Sequence, residues 1–366
     1  MNICYISNSA SPSRNASSLQ TVKLCENISK QGHKVTLILP NTGSKRNIFN
    51  YYNVKHKFKL KRLNYFKKFP LGINYYLYSL FAILSSNLKV QDLYITRNFF
   101  TSLVLSVLKK KHILEVHDDI KIEGRIVQIL IKYLSILNFS SIIKIIVTTR
   151  TLKKKYENYG VLKKKIKVLH NASSIEGKFK SYKKINSLKI GYFGSIFKSR
   201  GIDMIIKLSE LDKKNKYFVY GGSVKDVRKV KKNFNSKNLF FFPYVPYSKV
   251  EKKIDNTDVC ILPYTSKITV SGNVGDISKY TSPLKIFDYM KLGKLIISSN
   301  LPVLREILIH GYNSILINKY SDDKEWLKVI LSVSKNFHKY EKIRKNAFDY
   351  ANKYDSNWRV RELLTF

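Results

Sequence analysis

The stretch Asn2-Ile3-Cys4-Tyr5-Ile6, answered further on by Lys34-Val35-Thr36-Leu37-Ile38-Leu39-Pro40, decides the fold class. Both are short runs rich in β-forming apolar residues. Between them, 7–18 is rich in Ser, Asn and Pro and reads as a loop. Leu19 to Gln31 then carries Val22, Leu24, Cys25 and Ile28 at helical spacing, and Gly32-His33 stops it. Two strands separated by a helix cannot form a hairpin, so they run parallel in one sheet. A βαβ opening predicts an α/β fold.

The same rhythm extends outward from this opening. Strands are expected at Val54–Leu60, Gln91–Thr96, Ile113–Val116, Ile142–Thr148 and Ile166–Leu169. Helices are expected at Tyr75–Leu88, Ile126–Phe139 and Leu152–Tyr159. In Val54–Leu60 every second residue is lysine, which predicts a half-buried strand with a lysine face. Ser173 to Ser187 is polar and lacks periodicity, as an interdomain linker does. The βα pattern then restarts: strand Leu188–Phe193, helix Ile202–Leu211, strand Lys216–Tyr220 ending in Gly221-Gly222, and strands Leu239–Phe242, Val259–Leu262 and Leu295–Ser298. A helix is expected over Pro283–Leu292 and a largely helical tail over Asp323–Leu364. A chain of 366 residues exceeds what one core usually organises. The expected division is 1–178, 179–350 and a C-terminal helix, 351–366, crossing back to the first domain.

Lys+Arg 67 against Asp+Glu 25 leaves a formal charge of +42, which calls for an anionic partner. Helix-turn-helix, zinc-type and aromatic RNA-binding signatures are missing from the sequence, so nucleic acid is not the expected partner. The three cysteines, Cys4, Cys25 and Cys260, have no metal-type spacing and read as reduced, in keeping with a cytoplasmic compartment. The first residues lack a basic n-region and a long apolar core, so a signal peptide is not expected. Lys132 and Lys144 interrupt the most apolar stretch, 126–147, which argues against a transmembrane helix.

Two segments carry chemistry. In Phe193-Gly194-Ser195-Ile196-Phe197-Lys198-Ser199-Arg200-Gly201-Ile202 a strand ends, a glycine-containing loop follows and a helix begins. Unpaired backbone N–H groups at the helix start, with Lys198 and Arg200, suit a diphosphate, and an arginine fork can hold two of its oxygens. An ordinary βα turn has the same pattern. In Thr281-Ser282-Pro283-Leu284-Lys285-Ile286-Phe287-Asp288 the serine can cap a helix whose first turn holds Pro283. Lys285 and Asp288, three apart, share one face near its start. Open α/β sheets bind ligands beyond the carboxyl ends of their strands.

The segment Ser282-Pro-Leu-Lys-Ile-Phe-Asp-Tyr-Met290, followed by Gly293-Lys-Leu-Ile-Ile297, resembles the donor-site helix of the family-4 retaining glycosyltransferases of GT-B fold (glycosyl transferases group 1). Phe193-Gly194 with Arg200-Gly201 resembles that family's phosphate loop. Val219-Tyr220-Gly221-Gly222, His170-Asn171-Ala172 and Glu115-Val116-His117-Asp118 resemble further segments of it, in the same order. The resemblance implies two doubly wound Rossmann-like domains facing a central cleft. It implies sugar transfer from a nucleotide-sugar donor to a hydroxyl acceptor with retention, as in surface-polysaccharide biosynthesis. Carried over by position, Arg200 and Lys285 would neutralise the diphosphate, Gly194, Ser195, Thr281 and Ser282 would line the donor, Asp288 would hold the ribose, and His117 would face the donor sugar. Tyr280 and Ser195 depart from the family's pattern, standing where it has a glutamate and a basic residue. The sequence has no Asp-x-Asp pair at a strand end, so neither a metal nor any other cofactor is expected.

The basic and aromatic segment Lys55–Lys68 suits an anionic membrane surface. The acceptor would then be a polyprenyl-diphosphate-linked or other glycan, and the enzyme peripheral on the inner face of the cell membrane. Two alternatives stay open: a basic nucleic-acid-binding protein, or a sugar-nucleotide epimerase on the same fold.

Overall fold

A computed structural model describes residues 1–64, 71–120, 128–129, 131, 135–181, 185–232, 234, 236–269 and 276–365. They form two units, Met1–His170 with Ser356–Phe366, and Asn171–Asp355.

The first unit is built on a parallel sheet in the order β3-β2-β1-β4-β5-β6-β7. Its strands are β1 (Asn2–Ile6), β2 (Lys34–Asn41), β3 (Lys59–Asn64), β4 (Leu93–Thr96), β5 (His112–Val116), β6 (Ile142–Val147) and β7 (Ile166–Val168). The opening βαβ forms as its sequence demands: β1 pairs in parallel with β2, Ile3 opposite Val35 and Tyr5 opposite Leu37. The helix between them, Ala16–Lys30, buries Val22, Cys25 and Ile28 against the sheet. Val360 and Leu363 of the helix Ser356–Leu364 enter the same core.

The second unit repeats the plan in the order β10-β9-β8-β11-β12-β13. Its strands are β8 (Lys189–Phe193), β9 (Lys216–Tyr220), β10 (Leu239–Phe242), β11 (Val259–Leu262), β12 (Leu295–Ser299) and β13 (Ile315–Ile317). Every residue of β11 and β12 is buried, as strands covered on both faces require. Both units are therefore the doubly wound α/β domains expected. Among the described residues, no helix is long and apolar enough to cross a membrane.

Several boundaries differ from expectation. The segment Val54–Leu60 is a strand only from Lys59 onward, and β3 runs on to Asn64 because β2 pairs with that stretch, Thr36 opposite Lys59 and Asn41 opposite Asn64. The lysine face is also not free, since Lys61 Nζ donates to the Ser85 carbonyl at 2.7 Å. The first division falls after His170 rather than 178, because Ile175 is packed in the second core and Gly177 lies against the Lys291 carbonyl. The second falls after Asp355 rather than 350, because Ala347 and Ala351 belong to that core too. Residues 126, 127, 130 and 132–134 of the helix expected over 126–139 lie outside the described residues, and Ile136–Asn138 within it is a separate 3-10 turn. β13 follows a turn at Gly311 and was too short to show in the sequence pattern.

Candidate functional site

In the second sheet the strand order reverses between β8 and β11, whose connections leave to opposite sides and open a crevice at their carboxyl ends. Gly194 follows β8, and Pro263-Tyr264 follows β11. The helix Leu284–Lys291, which feeds β12, brings Lys285 to the same place.

Lys285 Nζ lies 4.4 Å from the centre of the Tyr192 ring and 5.6 Å from that of Tyr264. The Arg200 guanidinium carbon stands 5.1 Å from the same Tyr264 ring. One arginine nitrogen donates to the Thr269 carbonyl at 2.9 Å, while its Nε is buried with no hydrogen-bond partner among the described residues. Neither cation forms an ion pair with a carboxylate among those residues. Two like charges thus meet in a partly desolvated corner, an arrangement that an anion would relieve.

The backbone packs tightly enough here to account for its glycines. A Cβ on Gly221 would come within 1.7 Å of the Gly194 carbonyl, and one on Gly201 within 1.8 Å of the Pro263 carbonyl. A Cβ on Gly194 would sit 2.0 Å from Lys285 Nζ. Tyr192 donates to the Ser195 carbonyl at 2.8 Å, and Phe193 N–H donates to Tyr289 of the helix at 3.1 Å.

The local electrostatics follow. Burial lowers the Lys285 pKa below the usual lysine range; Tyr264 opposes the shift and Arg200 adds to it. Burial alone would raise the Tyr264 phenol, but Lys285 and Arg200 outweigh it and the net direction is down. Tyr192, with burial as its largest influence, is raised well above the ordinary value.

The backbone donors expected at these turns are partly engaged already. Gly194 N–H donates to the Tyr220 carbonyl, Arg200 N–H to Phe197, and Thr281 N–H to Ile277 at 2.8 Å. These N–H groups are thus engaged within the chain. Ser282 does not cap the helix: Pro283, with ψ 117°, occupies the N-cap, and Ser282 Oγ is left buried without a partner among the described residues. The Ser282 carbonyl accepts from the Asn171 amide at 2.5 Å. Asp288 is buried; its Oδ1 accepts from the Ser173 hydroxyl at 2.5 Å and from Tyr247 at 3.4 Å. Tyr280 is buried, whereas Ser195 and Lys198 are exposed.

In the first unit, His117 directly follows β5. Its Nε2 is buried with no hydrogen-bond partner among the described residues. Burial first, then the Arg97 and Arg359 cations, hold the imidazole well below its ordinary pKa against the pull of Glu115, so it is neutral near pH 7. Glu115 is fully buried, accepting from Arg97 Nε at 3.3 Å, from Arg359 at 2.9 Å and from the Tyr5 hydroxyl at 2.8 Å. The reversal of strand order in this sheet lies between β1 and β4. Just past β1, Asn8 has both amide atoms buried and unpartnered among the described residues.

Sequence reasoning singled out Arg200, Lys285 and His117 and did not single out Tyr192, Tyr264, Asn8, Arg97 and Arg359. The available signal, a residue one or two places beyond a largely buried strand, applies to Asn8, Arg97 and Tyr264.

Residues 174–350 match the family model of Glycosyl transferases group 1. The second unit carries a glycosyl transferases group 1 domain. Solved structures extend the likeness over the whole chain. Anabaena HepE, solved in complex with UDP, is 14% identical with a TM-score of 0.73, covering 100% of this chain and 99% of its own. Sucrose-phosphate synthase from Thermosynechococcus elongatus is 12% identical with a TM-score of 0.73, covering 99% and 96%. WaaG, a glycosyltransferase involved in lipopolysaccharide biosynthesis, is 11% identical with a TM-score of 0.64, covering 98% of each chain. The two α/β units are those of the GT-B fold, and the corner of Gly194, Arg200 and Lys285 lies within the glycosyl transferases group 1 domain.

Proposed function

We propose that this chain is a retaining glycosyltransferase of the family-4 type, which moves a sugar from a nucleotide-sugar to a hydroxyl of a lipid-linked or other glycan acceptor. The observation that carries the proposal is the pair of cations, Arg200 and Lys285, gathered at the strand-order reversal of the second sheet with no carboxylate partner among the described residues. As the glycosidic bond of the donor breaks, negative charge builds on the departing diphosphate, and two fixed cations favour that state over the intact donor. Asp288 is assigned to the ribose, with Tyr280, Ser195 and Ser282 as neighbours of the donor. His117, neutral and with an Nε2 that has no hydrogen-bond partner among the described residues, is assigned to the donor sugar as a hydrogen-bonding group rather than a charge. Structures of HepE hold UDP and UDP-glucose, which supports a nucleotide-sugar donor. WaaG and the lipopolysaccharide outer core galactosyltransferase WaaB support a role in surface polysaccharides such as O-antigen, lipopolysaccharide or capsule. The net charge of +42 supports a peripheral position at the inner face of the cell membrane, where a lipid-linked acceptor would lie.

The test is a thermal-shift screen of nucleotide-sugars, followed by turnover of the best binder with wild type, Arg200→Ala and Lys285→Ala. Donor-dependent nucleotide release that both substitutions reduce steeply supports the proposal. Equal kinetics in all three proteins overturn it.

A further inference from the structure

Tyr264 is buried two residues beyond β11, and the sugar transfer proposed above gives it no task. Its backbone is held from two directions. The Tyr264 carbonyl accepts from the Ser299 hydroxyl, at the end of β12, at 2.7 Å. On the other side the Pro263 carbonyl occupies the space that a Cβ on Gly201 would need, and Thr265 N–H donates to the Ser199 carbonyl at 3.3 Å. The end of β12 and the loop after β8 thus fix where the ring stands. A side chain placed this firmly can set the position of groups that lean on it.

Both cations of the site lean on Tyr264. The Arg200 guanidinium carbon is 5.1 Å and Lys285 Nζ 5.6 Å from the ring centre, and both groups donate hydrogen bonds to the phenol oxygen. Tyr192 marks the contrast. Lys285 Nζ lies 4.4 Å from its ring centre, but the Tyr192 hydroxyl is spent on the Ser195 carbonyl. The other titratable groups that act on the phenol or on Lys285 are Tyr192, Tyr289 and Cys260, with no carboxylate among them.

Two buried like charges must be held together against their repulsion and against the loss of water. One phenol oxygen that accepts from both supplies a polar partner for each. It does not block the site, because a charged diphosphate oxygen is a stronger acceptor than a neutral phenol for the same N–H groups.

We propose that Tyr264 is a positioning residue of the donor site, whose phenol oxygen holds Arg200 and Lys285 convergent until a diphosphate takes them over. The inference rests on reading this corner as the nucleotide-sugar site and adds a residue that acts through the two cations. It carries a sign for pH dependence. The phenol favours the charged ammonium and opposes the effect of burial, so without it Lys285 loses its proton at lower pH.

The experiment is isothermal titration of the full chain with UDP and with inorganic pyrophosphate, from about pH 7 to about pH 10. Pyrophosphate separates the grip on the diphosphate from any contact with base or ribose. The ligand's own titration is common to all variants, so a difference from wild type reports the protein. Tyr264→Phe keeps the ring and removes the oxygen. It is expected to weaken both ligands about tenfold near pH 7 and to start the alkaline fall of affinity about one pH unit below wild type. Tyr192→Phe is expected to leave that fall where it is. Lys285→Arg removes the fall, since arginine keeps its charge, and adding Tyr264→Phe then lowers affinity without bringing it back.

Wild-type affinity and pH profile in Tyr264→Phe overturn the proposal. So does an unmoved profile with a lowered melting temperature, which would make the residue a packing element only. If Arg200→Ala and Lys285→Ala weaken binding while Tyr264→Phe does not, this inference alone fails. If wild type binds neither ligand, or the two cation variants bind as wild type does, the donor-site reading fails and this one with it.

Discussion

Arg200 and Lys285 address one ring: the guanidinium carbon and the ammonium nitrogen stand 5.1 Å and 5.6 Å from the centre of Tyr264. The ring's π-face offers each cation some compensation. It does not neutralise either of them, and the pair is poised for an anion. Arg200→Ala and Lys285→Ala are each expected to weaken UDP binding by about 10- to 100-fold, as loss of a charge-assisted contact does. Melting of the ligand-free protein should stay level or rise slightly, because a repulsion is removed. Isothermal titration and differential scanning calorimetry measure the two effects.

Gly194 supplies a gentler perturbation. Its missing Cβ leaves the space that Lys285 Nζ fills, and the ammonium sits at the end of a flexible stem. Gly194→Ala is expected to push the ammonium aside and lower nucleotide affinity, with some loss of stability because its φ of +158° is one that side chains rarely adopt. Gly221→Ala strikes the Gly194 backbone carbonyl instead, which cannot swing away, and should lower the melting temperature clearly. Side-by-side melting and titration curves distinguish the two.

The environment of Lys285 also sets a pH dependence. Burial, the largest influence, lowers its pKa, and Tyr264 restores only part of the loss. The charged form that grips a diphosphate is present below that pKa and disappears as pH rises through it. Nucleotide affinity should therefore start to fall at a lower pH than the ordinary lysine value of about 10.4 would give. Lys285→Arg should hold its affinity over the same range. Titrations from about pH 7 to about pH 10 decide the matter.

Glu115 provides a stability prediction. Burial alone would raise its pKa, but Arg97 and Arg359 more than reverse this and hold the carboxylate well below the usual range. Its contribution is present above the unfolded-state value and is lost only as pH falls through the lower folded one. Arg359→Met leaves the buried carboxylate with one cation and should cost about 3 kcal/mol in urea unfolding. It should also move acid denaturation to higher pH. Adding Glu115→Gln should recover part of the loss.

The sequence revealed most where structure is local and buried. β1, β8, β11 and the helix Ile202–Leu211 are apolar runs bounded by Gly or polar turns, and they form within a residue of where they are read. β3 was displaced because alternation before Lys59 satisfies a period of two while the hydrogen-bond partners offered by β2 lie further on. Ser282 misled for a backbone reason: the chain is still extended at Pro283, so the hydroxyl stands one residue outside the cap. Tyr264 and Arg359 were out of reach because their importance comes from groups distant in sequence. Nothing near Tyr264 announces that Arg200 and Lys285 converge on it, and nothing near Arg359 announces Glu115.

That last contact bears on how the protein is made. The first unit needs residues 356–365 to complete it, since Val360 and Leu363 finish its core and Arg359 supplies the second counter-charge for Glu115. A nascent chain emerging from the ribosome can therefore assemble the second unit while the first still lacks its final helix. Synthesis order and completion order are inverted, and the opening βαβ waits longest for its last partner.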